Sequence, residues 1–181
     1  MLQEAAFELF LENSYARTTI DQIAQRAGVS RNTFFNYFAA KSDVFWVDLD
    51  DSLGRLSLCL RAASRTTPVM QAVMDALLEV GRDFGPSRVP WALTHYSLIG
   101  GVGELQASAM SRLAAQARVL ALFVESRGAA PAIARAASYA ALGAAVAAAQ
   151  DWANAGTSRG DLEPYLTRAL APVCSGFQSN L

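Results

Sequence analysis

The chain carries the run SRNTFFNYFAAK from Ser30 to Lys41, and several kinds of binding chemistry crowd into it. Asn32 and Asn36 bring amides, which can pair in bidentate fashion with an adenine edge. Thr33 brings a hydroxyl and a methyl, and Arg31 and Lys41 bring cations. Phe34, Phe35, Tyr37 and Phe38 add rings, and rings and threonine methyls can meet thymine methyls. Just upstream, Thr18 and Thr19 offer hydroxyls which, like the Lys41 ammonium, suit phosphate oxygens. A buried segment would carry fewer polar groups, and a solvated one fewer rings. Nothing here makes or breaks covalent bonds. The rest of the chain offers no carboxylate pair, metal cluster, nucleophile motif or phosphate loop, so no enzyme is expected. His95 is the one histidine and has no second ligand at metal spacing, so neither metal nor cofactor is expected.

Side chains such as these act only when elements hold them to one side. Residues Leu2 to Asn13 read as a helix with Ala6, Phe7, Phe10 and Leu11 on its apolar stripe. Thr19-Ile20-Asp21-Gln22 is a capping box that opens a second helix, which runs to about Ala27 and stops at Gly28. Ser30 is a good N-cap for a short third helix. On that helix Phe34 and Phe38 share a face and can cover Ile20, Ile23 and Val29. Asn32, Thr33 and Asn36 take the opposite face, with Phe35 and Tyr37 flanking it. Two short helices about a tight glycine turn, with a third packed across them, make a helix-turn-helix. Its last helix would enter a major groove.

Beyond the head every signal is helical, and no segment alternates like a strand. A fourth helix should start at Lys41-Ser42-Asp43 and reach Ala63. Thr67 should cap the next, with Pro68 at its first position and Gly85-Pro86-Ser87 stopping it. Arg88 to Ile99, Glu104 to Arg127, the alanine-rich Ala132 to Ala155 and Asp161 to about Gly176 should follow, with Pro172 bending or ending the last. The expected fold is therefore all-α: a three-helix helix-turn-helix head, residues 1–45, and a helical ligand-binding and dimerisation body, residues 46–181.

Of the 181 residues, 52% are hydrophobic and 17% charged, which suggests a generous core or a buried interface. Fifteen Lys and Arg against sixteen Asp and Glu leave net charge silent about nucleic acid. Two distant cysteines, Cys59 and Cys174, suggest no disulfide framework and a reducing cytoplasm. The apolar run near Tyr139 to Ala149 is shorter than the ~20 residues a membrane helix needs, so a soluble chain without a membrane partner is expected.

The residues Thr18-Thr19-Ile20, Ile23-Ala24, Ala27-Gly28-Val29-Ser30, Thr33 through Phe38 and Lys41-Ser42-Asp43-Val44 closely resemble the DNA-binding head of the TetR family of bacterial transcriptional regulators. The resemblance spans roughly residues 4 to 45. It implies an all-helical homodimer, usually a repressor, which binds double-stranded operator DNA and is released by a small-molecule effector. By position, Asn32, Thr33, Phe35, Asn36, Tyr37 and Lys41 would be the operator-contacting set, with Arg31, Thr18 and Thr19 beside it. Phe35 stands where the family usually has Tyr, and Ser14 where it often has Gly. Residues 1 to 45 hold Arg17, Arg26, Arg31 and Lys41 against Glu4, Glu8, Glu12, Asp21 and Asp43, a weak footprint for a DNA head, so a preceding basic arm is expected. That weakness leaves open a helical protein that binds or sequesters a small molecule and keeps only a vestigial head.

In the body, the alanine-rich helix and the last helix could form a four-helix contact across a two-fold axis. Trp46, Trp91, His95, Met110, Phe123 and Tyr139 are candidates to line an effector cavity, and core packing would use the same residue types. The stretch Lys41 to Asp50 is similar to a TetR subgroup associated with mycofactocin clusters, which implies acyl-CoA thioester effectors. Arg88 and Arg112 would then be the nearest partners for the phosphates.

Overall fold

A computed structural model describes residues 1–86 and 88–178. Among the described residues there are eleven α-helices and no strand; Gly85 and Arg88 form one isolated bridge. Ser87, expected in a helix-stopping turn, lies outside the described residues.

The head is α1 (Leu2–Asn13), α2 (Ile20–Arg26) and α3 (Arg31–Tyr37). Helix α1 buries Ala5, Ala6, Leu9 and Phe10, whereas Leu11, expected on the inner stripe, is 68% exposed. At 3.6 residues per turn Leu11 lies about 100° beyond Phe10, past the edge of the covered face. Both halves of the capping box form: the Gln22 amide reaches Thr19 Oγ1 at 3.2 Å, and the Thr19 amide reaches Gln22 Oε1 at 2.8 Å. Gly28 takes φ 69° after α2, and Ser30 Oγ caps α3 through the Thr33 amide at 3.0 Å. Ser14 also takes positive φ, 71°, with an extended ψ of 157°, a region that nearly always needs glycine.

Two expected helices are broken. From Lys41 the chain forms a 3₁₀ turn (Lys41–Phe45), then α4 (Val47–Gly54) and α5 (Leu56–Ala62), with breaks at Trp46 and Arg55. Asp43 Oδ2 accepts the Ala40 amide at 2.9 Å and favours the tight turn. Gly54, the poorest helix former in this stretch, ends α4. The segment expected as Arg88 to Ile99 is α7 (Trp91–Thr94) and α8 (Tyr96–Gly101), broken at His95. There Thr94 Oγ1 donates to Trp91 O at 3.1 Å and His95 Nδ1 lies 3.2 Å from the same carbonyl, which also keeps the backbone bond from the His95 amide at 3.0 Å; His95 itself leaves helical geometry at φ −115° and ψ 34°. Helix α6 (Val69–Gly81) is preceded by Pro68 itself, one residue later than the Thr67 cap implies. Helices α9 (Gly103–Ser126) and α10 (Pro131–Asn154) follow. Pro172 is held inside α11 (Glu163–Gln178), between buried Leu170 and Cys174.

Two apolar clusters organise these elements. The larger joins α5, α6, α9, α10 and α11 around Leu56, Met70, Val73, Leu120, Trp152 and Leu170. Trp152 Nε1 donates to Gly160 O at 2.9 Å, which satisfies the one polar atom of the largest fully buried side chain. The alanines of α10 at 134, 137 and 141 are fully buried, which lets neighbouring helices approach closely. By length and composition α10 alone among the described helices could cross a membrane, a test that the core helix of a soluble protein also passes; 33% of its apolar window is buried. The smaller cluster joins Phe10, Tyr15, Ile23, Phe34, Phe45 and Trp46 to Ala92, Ile99 and Leu105. The core of the head therefore continues into α7, α8 and α9.

Candidate nucleic-acid interface

Helix α3 is fixed by one ring and exposed around the rest. Phe34 is fully buried and meets Phe35 and Phe38 at centroid distances of 5.6 and 5.3 Å. With that anchor, Asn32, Asn36 and Tyr37 are exposed, Tyr37 to 73%, and Phe35 to 43%. Asn32 and Asn36 lie one helical turn apart, so two amides project from one side. Thr33 is half-buried, its hydroxyl 2.9 Å from Ser30 Oγ at the head of the helix. Thr19 is exposed at the entry to α2.

Two cations of the head, Arg26 and Arg31, are paired within it. Arg31 holds Asp21 at 2.7 Å and sits over the Phe35 ring at 5.4 Å. Arg26 holds Glu12 at 2.7 Å and Glu8 at 3.0 Å. The guanidinium keeps the Glu12 carboxyl below its usual pKa.

Thr18 departs from its expected place at a phosphate. It is 1% exposed, and its hydroxyl lies 2.9 Å from Ser14 O and 3.1 Å from Leu9 O, so it ties α1 to the following turn. Lys41 is half-buried and also turns inward: Nζ donates to Tyr15 O at 2.8 Å and Thr18 O at 3.0 Å, and lies 4.1 Å from the Tyr15 ring. Burial lowers its pKa from the ordinary lysine value. Both residues stabilise the head from behind the exposed face.

The six effector candidates divide. Trp91 stacks between Phe7 of α1 at 4.1 Å and His95 at 3.7 Å, and meets Phe45 edge-on at 5.1 Å. Trp46 is buried beside Phe45, with Nε1 unpartnered among the described residues. These three therefore lie at the seam between head and body. Phe123 packs on the large core, with Arg127 4.9 Å from its ring. Met110 and Tyr139 are 61% and 48% exposed and point away from both cores. A hollow of about 300 Å³ beside Cys59, Thr67 and Asp75, and a more open one of about 460 Å³ beside Asp161 and Arg168, contain none of the six.

Arg112, expected at a phosphate, is occupied by protein carboxylates. It reaches Asp50 through Nε at 2.9 Å and Nη2 at 2.8 Å, and Asp43 through Nη2 at 3.1 Å. Burial works against its charge, but the hydrogen bonds and charges of Asp50 and Asp43 outweigh that, and its pKa is raised. No periodicity in the sequence marks this cluster, because its members are brought together only by the packing of α9 on the 3₁₀ turn. Arg88 is exposed.

The profile of bacterial regulatory proteins of the tetR family matches residues 2–45, and that of the MftR C-terminal domain matches residues 67–178. The chain is 30% identical over 126 residues to a Mycobacterium tuberculosis protein named as the mycofactocin biosynthesis transcriptional regulator MftR; the match covers 70% of this chain and 63% of that one. It is 32% identical over 80 residues to the transcriptional activator FasR of Mycolicibacterium smegmatis, covering 44% of this chain and 36% of that one. The matched stretches thus span less than two thirds of either relative. Among solved structures, FadR of Thermus thermophilus, a TetR-family repressor in complex with lauroyl-CoA, superposes with a TM-score of 0.62 at 22% identity, covering 97% of this chain and 92% of that one. FadR of Bacillus halodurans gives 0.65 at 19% identity, covering 97% of each. At those identities the likeness is one of fold.

Proposed function

The chain belongs to the TetR family of bacterial transcription regulators and carries a C-terminal domain of the MftR type, and on that premise we propose that it is a ligand-responsive repressor. It binds operator DNA as a cytoplasmic homodimer, and a small apolar or amphipathic effector releases it. We divide the chain into a DNA-binding head, residues 1–45, and an effector-binding and dimerisation body, residues 46–181.

The observation that carries this reading is the asymmetry of α3: one face is locked by fully buried Phe34, and the other exposes Asn32 and Asn36 with Phe35 and Tyr37 on its flanks. That is the arrangement a major groove requires, with amides for base edges and rings for thymine methyls. Thr19, Arg31 and Thr33 complete the contact set; Arg31 must trade Asp21 for a phosphate.

The dimer reading rests on α10, whose outer stripe of Ala132, Ala136, Tyr139, Gly143, Val146 and Ala147 is exposed. Small residues on one stripe let a second copy approach closely. The effector class we favour is an acyl-CoA thioester, which the resemblance to the mycofactocin-associated subgroup implies and of which one fold neighbour holds an example, lauroyl-CoA. Because Trp46 and Trp91 both pack on Phe45 at the seam, their fluorescence should report on the effector.

The test begins with a gel shift on the DNA upstream of the protein's own gene, followed by titration of acyl-CoAs with and without that DNA. Specific retardation, and an acyl-CoA that binds more weakly when operator is present, are expected, since linkage is reciprocal. No specific DNA binding, with tight effector binding, would make the chain a sequestering protein instead.

A further inference from the structure

Resting on that reading, we infer that Arg112 is a positioning residue for operator binding: from α9 of the body it fixes the angle at which the head presents α3. The chain leaves α3 at Tyr37 and turns through Ala40, whose amide donates to Asp43 Oδ2 at 2.9 Å. The other oxygen of that carboxylate accepts Arg112 Nη2 at 3.1 Å. Beyond the break at Trp46, Asp50 of α4 takes Arg112 through both of its oxygens at 2.8 to 3.0 Å. Nη1 donates to Ser108 Oγ on the same helix at 2.6 Å, and the guanidinium carbon lies 5.5 Å from the Trp46 ring centroid.

One planar cation therefore grips the chain before the break and after it, and lies over the ring at the break itself. A guanidinium has enough fixed donors to serve all three partner residues at once, whereas a lysine ammonium cannot span them. Arg112 and Asp43 have side-chain exposures of 24% and 27%, so the pair is partly withdrawn from water and stronger than a surface bridge. Asp43 is also the group that shapes the 3₁₀ turn. A shift of α9 thus reaches the base of α3 through two bonds, without a continuous helix to carry it. A rigid link at this joint removes the freedom of the head that DNA would otherwise have to freeze out.

The test uses the full chain with Arg112→Met, which keeps the apolar stem over Trp46, and Arg112→Lys and Asp43→Asn. Operator affinity is measured over a salt series, and amide exchange over residues 38–50 is followed without DNA. Arg112→Met should weaken operator binding about tenfold, with the salt slope unchanged because Arg112 touches no phosphate. Exchange over 38–50 should speed up while α10 keeps its protection. Arg112→Lys should not rescue, and Asp43→Asn added to Arg112→Met should cost little more, since the two act through one bond. Unchanged exchange over 38–50 would overturn the inference, as would a salt slope reduced by about one, which marks a direct phosphate contact. Should Arg112→Met not fold, Asp43→Asn, which keeps an oxygen for Ala40, carries the same expectations. If the wild-type chain binds no operator, the functional reading fails while exchange still decides whether Arg112 holds the joint.

Discussion

Asn36 is exposed on α3, and among the described residues its amide has no hydrogen-bond partner, so a donor and an acceptor can serve a base edge. Asn36→Ala should weaken operator binding by about 1–3 kcal/mol and relax sequence preference at one position. Affinity measured on operator variants checks this; an unchanged Kd with an intact fold would mean that α3 does not enter the groove as drawn. Ser14 gives a residue-scale test of stability. Its φ of 71° with ψ 157° strains any side chain but not glycine. Ser14→Gly should raise the stability of the head by about 1 kcal/mol, the lower end of the cost of such a conformation. A denaturant midpoint that rises without a change in m is the expected sign.

At the scale of elements, the head is short and depends on its caps. Helices α2 and α3 have seven residues each, too few to be stable alone. Thr19→Ala removes one half of the capping box and should cost about 1 kcal/mol, read as a lower unfolding midpoint with the far-UV spectrum of the body retained. The capped helices were legible because a cap acts within one turn, and Thr19, Gln22, Ser30 and Gly28 are all local signals. The breaks at Trp46 and His95 were not. Both fall inside runs with helical periodicity, and beside both of them side chains find partners across the fold or on the backbone just behind them. The same holds for Thr18 and Lys41: near the head's helix entries they read as phosphate ligands, yet the turn after α1 leaves the carbonyls of Leu9, Ser14 and Tyr15 facing them.

At the scale of the molecule, the proposed dimer would make operator binding and dimerisation one property, because its two heads would meet two half-sites about one helical turn or a multiple of it apart. Gly143 lies in the exposed stripe of α10 with open space where a Cβ would stand. Gly143→Arg should improve helix propensity by about 0.5–1 kcal/mol, so the fold of one protomer is kept while the stripe receives a charge and a long side chain. Light scattering should then report a monomer, and operator affinity should collapse as the two half-sites lose their linkage. A dimer that survives would move the interface away from α10. Effector release asks for more: to turn a mostly bound population into a mostly free one, the ligand must prefer the released state by about 5 kcal/mol.

The sequence by itself determined the all-helical class, the limits of α1, the capped starts of α2 and α3, the turn at Gly28 and the face of α3 on which Phe34 goes inward and Asn36 outward. Those follow from capping bonds and 3.6-residue periodicity, which act over a few neighbouring residues. Only the tertiary structure decided where Trp46, Trp91 and His95 meet, that Thr18 and Lys41 face inward, and that Arg112 clasps Asp43 and Asp50. Burial has no direction along the chain, and an ion pair between α9 and a distant turn leaves no periodic trace. Such partners are chosen by packing.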